Sequence, residues 1–327
     1  MDLNEPKVTK LRLLFSKNKT DITEDLSKDL LSWSYSDKET GQADEISLMI
    51  ADASGKWASN WKPDGGEVIR AYLSSGTKSS LGFELYCGSF YVDTVRFSGA
   101  PKVVEIRAVS IPLSKPIRRL KRTRAWENKD LKSIAFGICQ EAGMSFVFDS
   151  SLNPTFDRVD QNKEADLSFI NRLCEDSGLA LKVTDNQMVI FDQEDYENKD
   201  PVSTFVLGES NILRYDFETA QSESYKSVTV KWRDSNQKKK DTAASFTWDL
   251  KEPATKKTNP AVMSYTYTDP NASDSDQEYY MKRRATVIAC KGVGAFDGNF
   301  IIEEANHSYG SSGYTTDLRL RRVNKDY

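Results

Sequence analysis

Residues 1 to 112 alternate between apolar and polar positions, which predicts a region built from β-strands. Apolar side chains recur at every second position around Leu13 and around Leu48. Three further runs of this kind follow: Glu67–Leu73, Phe83–Phe97 and Val103–Ser110. The segments between the runs are rich in Gly, Ser, Asp and Pro. About five or six strands at that spacing are typical of a sandwich or a barrel.

The period of the apolar positions changes after this region. Apolar residues between Leu131 and Ile138 share one helical face, and Gly143 is placed to end that helix. A second helix is predicted at Leu167–Cys174, ending at Gly178. Three strand-like runs flank the helices: Met144–Phe148, Ala180–Thr184 and Met188–Phe191. The pattern predicts a small α/β unit of about 80 residues.

From residue 201 the alternating pattern returns and predicts a second β region. Its runs are Ile212–Phe217, Tyr225–Arg233, Ser245–Leu250 and Met263–Thr268. The polar segments Asp234–Thr242 and Asp269–Gln277 are typical of exposed loops, and residues 277–290 are compatible with one helix. The sequence thus predicts a mainly β protein with an α/β insert. Its domains are a β domain at 1–112, a small α/β domain with a basic linker at 113–200, and a second β domain at 201–327.

The two predicted β domains share a motif. The segment Gly88–Ser98 aligns without a gap on Gly298–Ser308, which lies 210 residues later. A glycine, a phenylalanine, an aliphatic residue, an acid, a small apolar residue and a serine recur in the same order. Each copy leads into a second alternating run, which contains Arg107 in one copy and Arg319 in the other. A two-stranded unit that occurs twice indicates two related β domains in one chain.

Composition narrows the class of protein. The 327 residues have a formal net charge of only −4, which argues against a dedicated nucleic-acid binder, whose surface is usually strongly basic. No apolar stretch approaches the roughly 20 residues that a membrane-spanning helix needs, and the acidic, interrupted start of the chain does not resemble a secretory signal. The four cysteines are far apart and form no CxxC pair, so we expect buried, reduced thiols in a protein that folds in the cytoplasm.

Few residues are candidates for catalysis. His307 is the single histidine, which excludes histidine-pair metal sites and favours a hydrogen-bonded structural role over a Ser/His/Asp triad. Gly292–Gly298 resembles a dinucleotide-binding loop, but a strand follows where a phosphate-binding helix is required. With 49 acidic residues a carboxylate pair for glycosidase chemistry stays open, although no acid is marked by its context. The sequence therefore predicts no catalytic residue, no metal site and no cofactor.

Two kinds of segment are candidates for binding surfaces. The basic run 115–124 could contact phosphates. The alternatives, a solvated linker or a segment that pairs with acids of a neighbouring subunit, suit a chain of nearly balanced charge better. The aromatic stretches Trp33–Tyr35 and Tyr265–Tyr267 could bind sugar, whereas packing within strands is the simpler interpretation.

Three groups of segments, taken in order, are similar to the phage late control D family, the central hub proteins of contractile phage tails, tailocins and related injection systems. The first group is Asp44–Trp57, Trp61–Gly66 and Cys87–Asp93; the second is Ala125–Leu131 and Gln161–Leu173; the third is Phe296–Ile302, His307–Ser308 and Gly313–Leu318. The resemblance covers most of the chain, and the ordered set is more specific than any one segment.

The resemblance implies two tube-like β-barrel domains joined by the α/β domain, assembled as a homotrimer. Two similar barrels in each of three chains would form a pseudo-six-fold ring, which adapts a hexameric tail tube to a trimeric spike. The implied protein is a structural hub without enzymatic activity and without specific nucleic-acid binding. Its implied partners are the tail tube protein, the spike protein and other baseplate proteins. It would assemble in the cytoplasm of the bacterial host and belong to the tail baseplate of a virion or phage-like particle.

Within this resemblance, nine residues are assigned structural roles. Gly88 and Gly298 are expected at tight turns or close backbone approaches, Phe90 and Phe300 in the barrel cores, Asp93 and Glu303 facing the lumen or a neighbouring subunit, and Trp57, Trp61 and Trp126 as packing anchors. We expect the two acids to be placed equivalently, because their positions in the motif are equivalent.

Two other functions stay open at this point. Some tail hubs have fused lysozyme or peptidase domains, so a baseplate-associated peptidoglycan hydrolase is one alternative; the short α/β unit without histidine argues against it. The other is a carbohydrate-binding β-protein that recognises the host through surface aromatic residues.

Overall fold

The first part of the chain forms β-strands with one apolar side. The computed structural model describes residues 8–17, 20–21, 23–38, 43–76, 81–111, 116–184, 186–210, 212–218, 224–233, 243–255, 261–265, 286–311 and 313–323. The first elements are β1 (Val8–Lys17), β2 (Thr20–Asp21), α1 (Thr23–Asp29), β3 (Leu30–Lys38), β4 (Glu45–Ala51), β5 (Val68–Gly76), β6 (Leu81–Ser98) and β7 (Val103–Val109). Their alternate apolar residues form one buried core together with Leu26 of α1 and Trp57.

The middle of the chain contains the longer helices. After a 3-10 turn at Pro116–Arg118 come β8 (Lys121–Asp130), α2 (Leu131–Ala142), β9 (Ser145–Asp149), β10 (Thr155–Ala165), α3 (Asp166–Asp176), β11 (Leu179–Thr184), β12 (Gln187–Asp192) and α4 (Gln193–Glu197). These elements have a separate core, formed largely by α2, α3, β11 and β12. The small sheet β11-β12-β9 and the two-stranded sheet β10-β8 belong to this part.

The sequence sets both ends of α2. At its beginning, the Asp130 carboxylate accepts a hydrogen bond of 2.8 Å from the backbone N–H of Ser133. That hydrogen bond, helped by the Asn153 side chain, holds the pKa of Asp130 below its ordinary value. At its end, Gly143 adopts a φ of 58°, a left-handed conformation that suits glycine.

The last part of the chain returns to strands. Its elements are β13 (Ser203–Val206), β14 (Ile212–Asp216), β15 (Ser224–Arg233), β16 (Ala243–Thr255), β17 (Ala261–Tyr265), β18 (Val287–Lys291), a 3-10 turn at Gly294–Phe296, β19 (Gly298–Gly310) and β20 (Gly313–Arg322). Phe205, Ile288, Phe300 and Leu320 belong to the core of this part. β15 and β16 form a separate two-stranded sheet.

One sheet of thirteen strands joins the first and last parts of the chain. Its order is β14-β17-β20-β19-β3-β4-β7-β6-β5-β1-β2, with β18 beside the start of β19 and β13 beside β18. The two parts meet where β3 pairs with β19 in antiparallel fashion, from Trp33 opposite Tyr309 to Lys38 opposite Glu304. The prediction of a mainly β chain with an α/β insert is confirmed. The direct pairing of the two β regions had no signal in the sequence.

The two faces of this sheet differ in polarity. One row of residues that lie side by side across six strands is polar: Thr315, Ser308, Ser34, Ser47, Arg107 and Thr94. The row beside it is buried: Thr316, His307, Tyr35, Ile46, Ala108 and Val92. Because successive side chains of a strand point to opposite faces, the sheet has one hydrated face and one packed face.

Two predictions about local structure are wrong. The predicted basic linker 115–124 is in part a strand, since Lys121–Arg124 begins β8 and pairs with β10. The candidate helix 277–290 ends in a strand, because Val287–Cys290 belongs to β18, which has a strand on each side. A strand buried on both faces is continuously apolar, so its period cannot distinguish it from a helix. The rest of that segment, and the predicted loops Asp234–Thr242 and Asp269–Gln277, lie outside the described residues.

Candidate functional site

The two copies of the sequence motif occupy matching strands. The first copy lies on β6 and the second on β19, and each strand pairs with the strand that follows it, β7 or β20. Phe90 and Phe300 are both buried. Phe90 is paired with Ile69 of β5, and Phe300 with Ile288 of β18. Three consecutive strands therefore correspond in register between the two β regions.

A β-bulge recurs at the acid of the motif. In the first copy the register shifts between Val92 and Thr94, so that Asp93 is the extra residue. In the second copy the shift lies between Ile302 and Glu304, so that Glu303 is the extra residue. A bulge re-aims the side chain of its extra residue and increases the local twist. The two acids thus have the same backbone environment.

Each bulge acid lies beside an arginine of the neighbouring strand. The hydrogen bond from Arg107 to Glu45 is the largest cause that raises the pKa of Arg107, and the negative charge of Asp93 makes a smaller contribution in the same direction. Glu303 lies 3.8 Å from Arg319 and 3.1 Å from Arg321, measured between the nearest charged atoms. An acid and an arginine of the neighbouring strand therefore lie near each other at the bulge in both copies.

Both motif glycines have positive φ angles. Gly88 has a φ of 124° and Gly298 a φ of 150°. Residues with a Cβ rarely adopt such angles, which accounts for a glycine at both positions. Gly88 follows a register shift in the pairing of β5 with β6, and Gly298 opens β19 next to the side chain of Arg322.

The correspondence continues through the next two strands. β4 pairs with β7 as β17 pairs with β20, and β3 pairs with β4 as β14 pairs with β17. A second bulge is also repeated, because the register shifts between Leu30 and Ser32 and again between Ile212 and Arg214. We call β5-β6-β7-β4-β3 the first module and β18-β19-β20-β17-β14 the second module.

One aromatic contact is repeated in the cores of the two modules. The rings of Tyr35 and Phe90 have centroids 5.7 Å apart in the first module. At the corresponding positions of the second module, the centroids of Phe217 and Phe300 are 5.5 Å apart. The repeat therefore includes side-chain packing as well as strand order.

The modules are joined by the pairing of β3 with β19, which we call the internal ladder. At its centre, the His307 ring stacks on Tyr35 with centroids 5.7 Å apart and an interplanar angle of 14°. The His307 Nδ1 atom lies 2.7 Å from the Tyr314 hydroxyl and 3.0 Å from the Thr316 hydroxyl. Burial lowers the pKa of His307 to about 4. The ring is neutral at physiological pH and stabilises the junction by stacking and hydrogen bonding.

Two strand edges that have no neighbouring strand among the described residues also expose large apolar side chains; we call them the unpaired edges. One is the edge of β14 that faces away from β17. The other is the part of β6 after Val92, where the pairing with β5 has ended. The exposed aromatic residues are Phe97 on β6, at 41%, and Tyr215 on β14, at 46%. Unpaired edges with exposed aromatic residues are typical of interaction sites.

The α/β domain is attached to the first module by a buried ion cluster. Lys182 of β11 lies 3.4 Å from the Asp37 carboxylate, and it also pairs with Asp44 and with the Lys38 carbonyl oxygen. Ser110 adds hydrogen bonds, because its hydroxyl accepts from the Asp44 N–H and donates to the Val183 carbonyl. A buried charge needs such partners, so this cluster fixes where the α/β domain sits.

Two arginines of the predicted basic linker, Arg122 and Arg124, pair with acids of the same chain. Arg122 and Arg124 both contact Glu141, and Arg124 lies 2.5 Å from the buried carboxylate of Asp166. The Gln161 amide donates to the same Asp166 carboxylate at 2.8 Å. These contacts join β8 and β10 to α2 and α3. Paired in this way, the arginines are held within the domain and are poor candidates for binding phosphate.

The three tryptophans singled out from the sequence lie outside the internal ladder and the unpaired edges. Trp57 is fully buried, and its indole N–H donates to Asp29 at 2.8 Å. Trp61 packs edge-on against Trp57 at a centroid distance of 5.4 Å. Trp126 is partly buried against the core of the α/β domain. Their contacts are with neighbouring parts of the chain.

The described residues offer little reactive chemistry. No group of three or more metal-binding side chains occurs among them. All four cysteines are buried and none forms a disulfide, and burial raises the pKa of Cys139, Cys174 and Cys290 to about 12. Such thiols are poor nucleophiles. No helix in the described part of the chain is long and apolar enough to cross a membrane.

Two features of the structure were not predicted from the sequence: the exposed Phe97 at an unpaired edge and the buried ion cluster around Lys182. Phe97 lies inside the first motif copy at the position that His307 has in the second, so the motif alignment contained that signal. Lys182 stands alone in the apolar run of β11, and an isolated lysine in a buried strand indicates a buried partner. Nothing in the sequence indicated that Asp37 and Asp44 would be those partners.

Comparison with known proteins places these features in context. The family model described as the phage tail baseplate hub (GPD) matches residues 110–293, more than half of the chain. The probable baseplate hub protein of Escherichia phage P2 is 29% identical over 216 residues, which are 65% of this chain and 54% of that protein. The chain therefore spans about half the length of this curated relative.

Solved structures share the fold at low sequence identity. The 43 kDa tail protein of prophage MuSo2 from Shewanella oneidensis has a TM-score of 0.68 and 12% identity, covering 96% of this chain and 99% of that one. An E. coli protein, c3393, described as a type VI secretion component with structural similarity to T4 tail proteins, has a TM-score of 0.54 and 13% identity; 91% of this chain and 75% of that one are covered. These likenesses show the fold.

Proposed function

Because the chain belongs to the phage tail baseplate hub family, we propose that three copies of it form a closed, pseudo-six-fold ring at the centre of a tail baseplate. The observation that carries this proposal is that one chain contains the same five-stranded module twice and joins its two modules edge to edge. Three chains supply six modules. Each junction between neighbouring modules of the ring would repeat the strand pairing of the internal ladder, because the same surfaces are reused around a symmetry axis.

The strand arrangement supports closure. Between the two unpaired edges, the chain presents eight strands in the order β14-β17-β20-β19-β3-β4-β7-β6. Three such arcs would make a barrel of twenty-four strands, larger than the 16- to 18-stranded porins that already enclose an aqueous channel. The hydrated face of the sheet, with Ser34, Ser47 and Arg107 in one row, suits the wall of such a lumen. Closure also covers edges that would otherwise promote aggregation.

The two ends of the proposed ring differ in symmetry. At one end, short turns connect β6 to β7 and β19 to β20, so the two modules resemble each other in these turns. At the other end, residues 39–44 connect β3 to β4 in the first module, whereas in the second module the corresponding connection contains the hairpin β15–β16. The Lys182 cluster attaches the α/β domain at this same end. The hairpin and the α/β domain occur once per chain, which gives that end three-fold symmetry.

This difference suits an adaptor between two symmetries. In our proposal the end with similar turns contacts a hexameric tail tube protein, and the end with the α/β domains holds a trimeric spike and contacts other baseplate proteins. The protein is then a structural component of a virion or phage-like particle, assembled in the cytoplasm of its bacterial host. Its function is mechanical and needs no catalytic residue.

Mass measurement and electron microscopy test the proposal. We expect the purified chain, alone or with its tube protein, to form particles with the mass of three chains, and we expect averaged images to show six similar modules around an axis. A chain that stays monomeric both alone and in tail particles, or a ring with another number of modules, contradicts the proposal. Release of soluble fragments from purified cell walls would instead favour the peptidoglycan hydrolase. Glycan binding by a chain that stays monomeric would favour the host-recognition protein.

A further inference from the structure

The two unpaired edges belong to the strands that correspond to the two strands of the internal ladder. Inside the chain, β3 of the first module pairs with β19 of the second. The counterpart of β3 is β14, and the counterpart of β19 is β6. We infer that β14 of one copy, continued by Phe217 and Glu218, pairs with the part of β6 after Val92 in the next copy, antiparallel and in a register fixed by the internal ladder. This inference rests on the proposed ring and names its subunit contact.

The register follows from the bulges that the modules share. The bulges at Asp93 and Glu303 align β6 with β19, and the shifts after Leu30 and Ile212 align β3 with β14. Within the internal ladder, Asn306 lies opposite Ser36, His307 opposite Tyr35, and Ser308 opposite Ser34. The corresponding pairs between copies are Arg96 with Glu218, Phe97 with Phe217, and Ser98 with Asp216.

The chemistry of these pairs supports the same register. Arg96 and Glu218 are exposed and of opposite charge, and they would lie directly opposite each other. Phe97 would meet Phe217, which already packs on Phe300 within its own module. The pair would repeat the stack of His307 on Tyr35. A shift by one residue would place Phe97 opposite Asp216 or Glu218 and would join the packed face of one copy to the hydrated face of the next, so it is disfavoured.

The two kinds of junction differ in polarity. The internal ladder buries a hydrogen-bonded group, His307 with Tyr314 and Thr316. The junction between copies would bury Phe97 against Phe217. In the single chain Phe97 is 41% exposed, so association removes its apolar surface from water, which favours assembly. The internal junction forms when one chain folds and needs no such driving force.

Disulfide trapping tests the register. Residues directly opposite in an antiparallel pair have Cα atoms about 4.5–5.5 Å apart, within the range of a disulfide. We expect the variant with Ser98→Cys and Asp216→Cys to form covalent dimers and trimers on mild oxidation, in tail particles and in the purified trimer. The four native cysteines are buried and provide a low background. The matched control, Arg96→Cys with Asp216→Cys, is displaced by two residues and should cross-link at least about tenfold less.

Charge reversal supplies an independent measurement that needs no oxidation. Arg96→Glu places like charges opposite each other and should raise the concentration of half-assembly by about tenfold or more. Adding Glu218→Arg should restore assembly. Both residues are exposed, but Arg96 lies opposite Glu105 of β7 in the same chain, so Arg96→Glu should also lower the melting temperature of the single chain slightly. Restoration of assembly by Glu218→Arg therefore identifies the contact between copies.

The outcomes separate this inference from the proposed ring. Cross-linking of the control pair, or a trimer in which neither cysteine pair cross-links and charge reversal has no effect, overturns the register while the ring stands. A chain that is monomeric in every preparation overturns the ring itself. Efficient cross-linking between the substituted positions 98 and 216 of adjacent copies, together with charge rescue, supports both.

Discussion

The buried histidine at the internal ladder makes a strong prediction about pH. His307 has a folded-state pKa of about 4, lowered by burial from an ordinary value of 6.5. As the pH falls below 6.5, the His307 ring binds a proton in the unfolded chain but stays neutral in the folded chain. The contribution of the neutral His307 to the free energy of unfolding is therefore fully present above that pH and is lost progressively towards pH 4. Because of the difference between the two pKa values, the free energy of unfolding should fall by about 2 kcal/mol when the pH is lowered from about 7 to about 5.

Urea unfolding at a series of pH values checks this magnitude. His307→Phe is the matched variant, because phenylalanine occupies the corresponding position 97 in the first module. The variant loses the hydrogen bonds to Nδ1, an offset of about 1 kcal/mol that does not depend on pH. No other histidine is present, so the difference between the two unfolding curves isolates His307. Parallel pH profiles for wild type and variant above about pH 5 would refute the reasoning.

Three further predictions concern stability. Lys182→Met leaves two buried aspartates without their ammonium partner and should lower the free energy of unfolding, measured with urea, by about 3–5 kcal/mol. The control Lys163→Met, at an exposed position, should lower it by less than about 0.5 kcal/mol. Equal effects of the two substitutions would contradict the stabilising role of the cluster. Phe90→Ala and Phe300→Ala should each cost about 3–5 kcal/mol in thermal unfolding, because both side chains fill a module core; a neutral result for either would remove the equivalence of the two cores. Asp130→Ala removes the cap of α2 and should cost about 1 kcal/mol by calorimetry, whereas Asp130→Ser should retain most of the stability.

Local signals in the sequence predicted many of the elements. Alternation located β4 and β7, and the helical period with Gly143 located α2 to within a residue. The repeated motif predicted two related β regions, and the matching bulges on β6 and β19 are consistent with it. The roles assigned to the nine motif and tryptophan residues, and the domain boundaries at 112 and 200, stay predictions.

The errors have a common physical origin. β8 begins with a basic run that is typical of a solvated linker, and it is a strand because Arg122 and Arg124 find acids on α2 and α3. β18 has a continuous apolar run because it is covered on both faces. In both cases the deciding contacts come from residues distant in the sequence, which local propensity cannot register.

The sequence alone determined which face of each strand is apolar, where the longer helices begin and end, and that one β unit occurs twice. It could do so because side-chain alternation, capping and backbone freedom act over a few residues. Only the tertiary structure decided which strand edges meet: β3 beside β19, with β14 and the end of β6 lacking a neighbour among the described residues. Alternation fixes the two faces of a strand, but its two edges are identical backbone, so the choice of neighbour depends on the packing of the whole chain.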